Sequence, residues 1–340
     1  MNRGRYRLPI NLREMTLLCT ILILGIAITL KNPVFASPDN LFSVLSDVTI
    51  LAIVSFGQMV VMVSGGIDLS VGTGMGLIGM VFGLVHVFNQ SISPVFLVAM
   101  CAIAGATLGL FNGFLVSVGG IVPLIATLAT MNIFRGVNVL VNAAFYRGQY
   151  IGANKLSEGF MALTRGHVLG IPLVLIYIAV LFGVGLLFLR HTYTGRYIYA
   201  IGTNEEGARM AGISVTRIKL LAYALSGLCF GLGGILWVSR YATAQSDTGL
   251  GLEFTAVTAA IVGGVSVMGG SGSLFGVLLG AVLISVMNNA LSVLQISQFW
   301  KQAILGLVLL TAILSNKWAE TRSSARKLVI ARQHEGAIHG

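Results

Sequence analysis

Between Asp47 and Arg135 the only fully charged side chain is Asp68, set in the stretch VSGGIDLSVGTGMG (Val63–Gly76) where nearly every neighbour is apolar or glycine. An ionised Asp at the middle of a bilayer costs about 2.5–3.5 kcal/mol on insertion scales, so such a group must face protein or water. Gly65 and Gly66 weaken a helix just before it, and Asp is a good N-cap, able to accept the backbone N–H of Ser70 or Val71. The stretch reads as a broken helix: one element ends at the glycines and the next starts on Asp68. The Ser70 hydroxyl can return to the backbone or to the carboxylate. Two roles stay open on the residues alone: Asp68 caps the second element, or the break lies along a polar path of the kind interrupted helices form in transporters. A second glycine-rich stretch, VGGVSVMGGSGS (Val262–Ser273), has similar spacing and carries Ser266 where Asp68 would stand, which hints at an internal repeat.

The other constellations lead away from catalysis. Gly74, Gly76 and Gly79 match G-x-G-x-x-G, but no strand precedes them and no acid follows about 20 positions later. Gly269-Gly270-Ser271-Gly272 resembles the serine motif of intramembrane proteases, yet the only later histidines, His334 and His339, lie in the tail, so the nucleophile lacks a base. Cys19, Cys101 and Cys229 lie in apolar runs with no CxxC, and read as small core residues. No GxxxxGK[ST] occurs, so any ATP is bound by a different chain; no cofactor or metal is expected.

The elements that must position Asp68 follow from composition. The 340 residues are 56% hydrophobic and 9% charged, against about 25% charged in soluble domains, so the bilayer is the solvent. The reading is an all-α polytopic membrane protein with ten spans: Met15–Leu30, Leu41–Ser64, Val71–Phe88, Val95–Val118, Ile121–Val141, Ile171–Arg190, Arg217–Val238, Phe254–Met268, Leu274–Leu294 and Ile296–Ser315. Residues 1–14 and 316–340 form basic tails around a transmembrane domain at 15–315. With both termini inside, fourteen Lys and Arg fall on the inner side and six on the outer, as the positive-inside rule requires. Their place in tails and one internal loop accounts for the net charge of +10 without nucleic acid. A cleaved signal peptide ending at Val34-Phe35-Ala36 is the rival for the first span.

Glycines four apart, at Gly79/Gly83, Gly105/Gly109/Gly113, Gly227/Gly231 and Gly272/Gly276/Gly280, make flat stripes for close helix packing or for sliding. In the cytoplasmic loop at 191–216, Asn204 is a plausible N-cap, Glu205 and Glu206 fill a first turn, Arg209 follows and Gly212 is the stop. That predicts a helix of about two turns, solvated by composition alone. On the other side Asn142–His167 is the longest connection. Arg135, toward the outer end of its span, either snorkels or lines the path.

GGIDLSVG (Gly65–Gly72), FNG (Phe111–Gly113), PLIATLATMNIFRG (Pro123–Gly136), YAIGTNEEGARMAGI (Tyr199–Ile213) and LEFTAVTAAIVGGVSVMGGSGSLFG (Leu252–Gly276) occur in this order. From about Leu41 to Ser315 they resemble the permease subunits of bacterial ABC importers for ribose, arabinose, xylose and related monosaccharides, including the autoinducer-2 importer. The resemblance implies a multi-pass protein of the bacterial cytoplasmic (inner) membrane carrying a monosaccharide or similar polyol-like solute. Asn204, Glu205, Glu206, Arg209, Met210 and Gly212 would form a coupling helix docking on a cytoplasmic ATP-binding subunit, with Ile213 adding apolar contact. The external connection would receive a periplasmic sugar-binding protein, and a second permease copy or paralogue would complete a dimer. Gly65, Gly66, Asp68, Ser70 and, from FNG, Asn112 are the candidates for the broken-helix motif or translocation path. An ion-gradient-driven sugar transporter and the amino-acid branch of the same importers are the alternatives.

Overall fold

The structure, a computed structural model, describes residues 12–297 and 299–314; the basic tails beyond these lie outside the described residues. The helices are α1 (Leu12–Lys31), α2 (Pro38–Val63), α3 (Val71–Phe88), α4 (Pro94–Ser117), α5 (Pro123–Tyr146), α6 (Glu158–Arg165), α7 (Leu173–His191), α8 (Tyr193–Thr203), α9 (Glu205–Met210), α10 (Val215–Tyr241), α11 (Leu252–Val262), α12 (Leu274–Val293) and α13 (Phe299–Leu314). Pro38, Pro94 and Pro123 each open a helix, where the missing N–H costs nothing. Among the described residues eight helices are long and apolar enough to cross a membrane, and α11 and α13 are shorter apolar helices. These ten correspond to the ten expected spans.

Helix α2 is buried along most of its length, enclosed by α7, α10, α11 and α12. Helix α10 binds α4 through the two expected glycine stripes. A Cβ on Gly105 would strike the Gly227 carbonyl, and one on Gly109 the Tyr223 carbonyl. Backbones therefore approach as closely as lipid-solvated helices can. Gly276 and Gly280 likewise face Gly263 and Ala259 between α12 and α11, and Gly79 faces Gly234. Helix α1 is part of this assembly: Arg13 Nη2 donates to the Ile261 carbonyl at 2.6 Å, and the Ser273 hydroxyl donates to Glu14 at 2.9 Å.

Two spans differ from expectation. Helix α5 runs on to Tyr146, so Arg135 stands at its midpoint rather than toward one end, on the face that other elements leave exposed. The eighth span stops at Val262 instead of Met268. Gly264, at φ +101, donates to the Ile261 carbonyl while Val265 donates to Ala260, a glycine cap that closes α11.

The chain between α10 and α11 does not stay at the surface. Ala244 exchanges two backbone hydrogen bonds with Ile151, whose side chain lies against Gly83. From there the Thr248 carbonyl packs on Gly76 and Gly249 on Gly72, in the first turn of α3. Gly83 to Gly72 is about 16 Å along a helix. This crossing is therefore discontinuous, a series of turns through 242–251 followed by the helix α11. Non-helical backbone at membrane depth is tolerated only inside protein or beside a cavity.

Candidate functional site

Helix α2 ends in a glycine cap: Gly65, at φ +86, donates to Met62 and Gly66 to Val61. The next helix does not start on Asp68 as expected. Helix α3 begins at Val71 with Ser70 at the cap position, and Asp68 lies two residues earlier in a side-chain turn. Its Oδ1 accepts the Ser70 N–H at 3.0 Å and the Ser70 hydroxyl at 2.7 Å. A short Asp side chain reaches its own backbone two residues on, which the helix itself would forbid.

The carboxylate also reaches two other helices. Asn112 Nδ2 in α4 lies 3.4 Å from Oδ1 and donates to the Ser70 hydroxyl oxygen at 2.7 Å. The Ser226 hydroxyl in α10 donates to Oδ2 at 3.0 Å. Asp68, Ser70, Asn112 and Ser226 are all buried, Asp68 with no exposed surface. Gly66 leaves room for the Tyr223 hydroxyl, which a Cβ there would meet at 2.7 Å. Among the described residues no ion pair involves Asp68. Hydroxyl and amide donors thus take the place of a counter-ion, and the carboxylate ties the start of α3 to α4 and α10.

The second interruption repeats the device. Its cap glycine is Gly264, and the Met268 N–H donates to Ser266 Oγ at 3.1 Å, the same two-residue reach as Ser70 to Asp68. One residue fewer separates the cap glycine from the turn residue than in the first. The two breaks touch: Gly270 N–H donates to the Val63 carbonyl at 2.9 Å. Gly202 of α8 fits between them, where a Cβ would collide with the Val63 carbonyl and the Gly270 nitrogen. Tyr199 of α8 adds a hydroxyl bond to the Gly272 carbonyl at 3.0 Å.

The 191–216 loop holds the expected helix, α9, and one more. Asn204 caps α9, accepting the Gly207 N–H at 2.9 Å; Gly212, at φ +80, closes it by donating to Arg209. Helix α8, capped by Thr192, was not anticipated. Glu205 is used inside the chain, 2.7 Å from Lys219 Nζ and 3.3 Å from Arg209. The Lys219 hydrogen bond holds its carboxyl below the usual carboxylate range. Ile213 is half-buried against the core, whereas Glu206 and Arg209 are exposed and Met210 is 80% exposed.

Asp68, singled out from the sequence, is not the only buried acid. Glu253, at the start of α11, is 4% exposed, because the descending 242–251 segment carries it into the interior. No signal in the local sequence marks it apart from its place inside the otherwise uncharged LEFTAVT run. Asp47 was missed as a partner of Arg240, 3.3 Å away.

A bundle of membrane-crossing helices with two capped interruptions and a polar loop helix at one end defines a membrane transport subunit. Residues 40–313 match the family described as branched-chain amino acid transport system / permease component, and the chain belongs to that family. It is a multi-pass permease subunit of the cytoplasmic membrane. It is 35% identical to the ribose import permease protein RbsC of Haemophilus influenzae, over 89% of this chain and 92% of the relative. It is 37% identical to RbsC of Bacillus subtilis over 87% and 90%. The galactose/methyl galactoside import permease protein MglC of Salmonella typhimurium is 31% identical over 89% and 93%. No solved structure matches the chain.

Proposed function

We propose that this chain forms the translocation path for a monosaccharide or similar polyol in an ATP-driven importer. ATP is hydrolysed in a separate cytoplasmic subunit, and a periplasmic binding protein delivers the solute. The observation that carries the reading is the similarity to the ribose import permease protein RbsC along nearly the whole of both chains. The charge bias puts α9 in the cytosol with both termini. There its exposed groups, Glu206, Arg209 and Met210, face outward as a docking face for the ATPase. Asn204, Glu205 and Gly212 build and anchor that face rather than contact the partner.

A second permease copy covers the open face of α5. Arg135 at mid-helix and Asn132 beside it are exposed there, and an Arg facing lipid at that depth costs about 2.5–3.5 kcal/mol. A protein or water surface removes that cost. Gly65, Gly66, Asp68, Ser70 and Asn112 form the joint about which α3, α4 and α10 move when the ATPases close. ATP drives the change by binding the two states unequally.

The family description favours a second substrate class, a branched-chain amino acid, so the test includes it. The chain is purified with its ATPase and binding protein, reconstituted, and supplied with ATP and radiolabelled D-ribose, D-galactose or L-leucine. ATP-dependent accumulation of a sugar is expected. Accumulation of leucine alone would move the chain to the amino-acid branch. Uphill uptake by the chain alone on a proton or sodium gradient would overturn the importer reading.

A further inference from the structure

A cavity of about 650 Å³ opens beside the end of α5, on the face that the charge bias makes external. Asn142 and Tyr146 of α5 form one wall, Tyr150 and Lys155 of the following loop a second, and Gln245 and Asp247 of the descending segment a third. The volume falls within the roughly 300–1,000 Å³ of small-molecule pockets. Side-chain amides both donate and accept, and tyrosine offers a flat apolar ring with a polar tip. One cation and one anion leave the lining without net charge. Such a surface suits a neutral ring bearing many hydroxyls.

Asn142, in the wall of the cavity, is the first of three unpaired oxygens in a row. Asn142 is 4% exposed and its Oδ1 has no hydrogen-bond partner. Asn138, one turn further along the same buried face of α5, donates through Nδ2 to the Ser246 carbonyl at 3.2 Å, but its Oδ1 is also unpaired. That amide lies by Gly76 of α3. One turn further along α3, beside Gly72, stands Glu253: its Oε1 accepts the Gly251 N–H at 3.1 Å while Oε2 is unpaired. Nearly all buried polar groups in folded proteins are paired, so each exception asks for a reason. Here three acceptors follow one another along the seam between α3, α5 and the 242–251 segment.

We infer that this cavity is the receiving subsite for a neutral, sugar-sized polyol, and that Asn142, Asn138 and Glu253 are the acceptors to which its hydroxyls donate as it moves inward. The inference rests on the transport reading above and adds the residues that touch the solute. It also puts part of the route inside one copy of the chain rather than wholly between copies. The wall made by 242–251 is non-helical and is tied through Ala244 to the external loop at Ile151, so that wall can follow movements of the loop.

The test uses the complete transporter in proteoliposomes. ATP-driven uptake of D-ribose and D-galactose is measured first; no sugar uptake would overturn the transport reading and this inference together. With a transported sugar in hand, the Asn142→Cys variant, in a Cys19→Ser background, is labelled from outside with a membrane-impermeant maleimide. The transported sugar is expected to slow labelling several-fold, and L-leucine to leave it unchanged. Asn142→Ala and Glu253→Gln should each lower uptake by about tenfold, the loss of roughly one net hydrogen bond, and Asn142→Gln should recover part of it. Labelling at one rate with and without sugar, or parental uptake in both Asn142→Ala and Glu253→Gln, overturns the subsite and leaves the transport reading standing. Should the Asn142 variants fail to insert, Gln245→Cys on the exposed opposite wall is labelled under the same two conditions and decides in the same way.

Discussion

At the scale of single residues, Asp68 acts as a fastening. Its oxygens receive bonds from Ser70, Asn112 and Ser226, and removing them strands those donors in the interior. Asp68→Ala should therefore destabilise the folded chain by about 3 kcal/mol or more, seen as earlier loss of monodispersity on heating in detergent. Asp68→Asn keeps one acceptor and should cost about 1–3 kcal/mol. Parental heat resistance in Asp68→Ala would show that the network contributes little. Asp68 was legible in the sequence because one charge in a long apolar run must be accounted for. Its bond to Ser70 was legible too, since it spans only two residues. Ser226 lies 158 positions away and resembles any other serine in a span, so nothing local connects the pair. Glu253 escaped for the opposite reason. It borders an apolar run, and residues there ordinarily sit at the interface; only the inward course of 242–251 buries it.

Among the elements, α9 concentrates the testable chemistry. Arg209→Glu reverses the most exposed cation of that helix and leaves Lys219 to hold Glu205. Substrate-stimulated ATP hydrolysis should be abolished while the permease still inserts and still binds its ATPase weakly; normal stimulation would argue against docking through α9. The tie between Glu205 and Lys219 should also set an acid limit. Because the folded carboxyl titrates below its free value of about 4.3, its stabilisation is complete above that value and lost as pH falls through the lower one. Hydrogen exchange in α9 should rise only in that acidic window, and Glu205→Gln should remove the step. A rise between about pH 5 and 7, where histidines titrate, would assign it to another group. The Asn204 cap and the Gly212 stop could be read directly, because capping chemistry is local. The glycine stripes were equally plain from their spacing of four. Helix α8 was not, since Tyr193–Thr203 runs for only eleven residues and its buried face holds just Gly195, Ile198 and Ile201. The shortness of α11 depends on which of two adjacent glycines takes the left-handed conformation, and apolar content says nothing of that.

For the whole molecule, composition alone indicated the solvent and ten apolar segments, eight of which are helices long enough to cross, and the charge bias supplied a direction across the bilayer. What composition could not supply was the path of the chain through 242–251, where polar and glycine residues run alongside α3. The exposed face of α5, chiefly apolar but carrying Asn132 and Arg135, bears on assembly. Asn132→Cys should cross-link to the same residue of a second copy, or to a paralogue, in native membranes with a short bis-maleimide; an assembled, active transporter that never cross-links there would put the second copy on another face. The junction of Gly202, Val63 and Gly270 has a consequence at this scale. Proteins usually absorb small displacements by changing rotamers, and a junction made of main chain alone has no such slack. In the proposed transport cycle a push arriving through α8 would reach both turns at the same moment, so they would switch as a single event. A long-lived form with one turn shifted and the other at rest has no place in such a cycle.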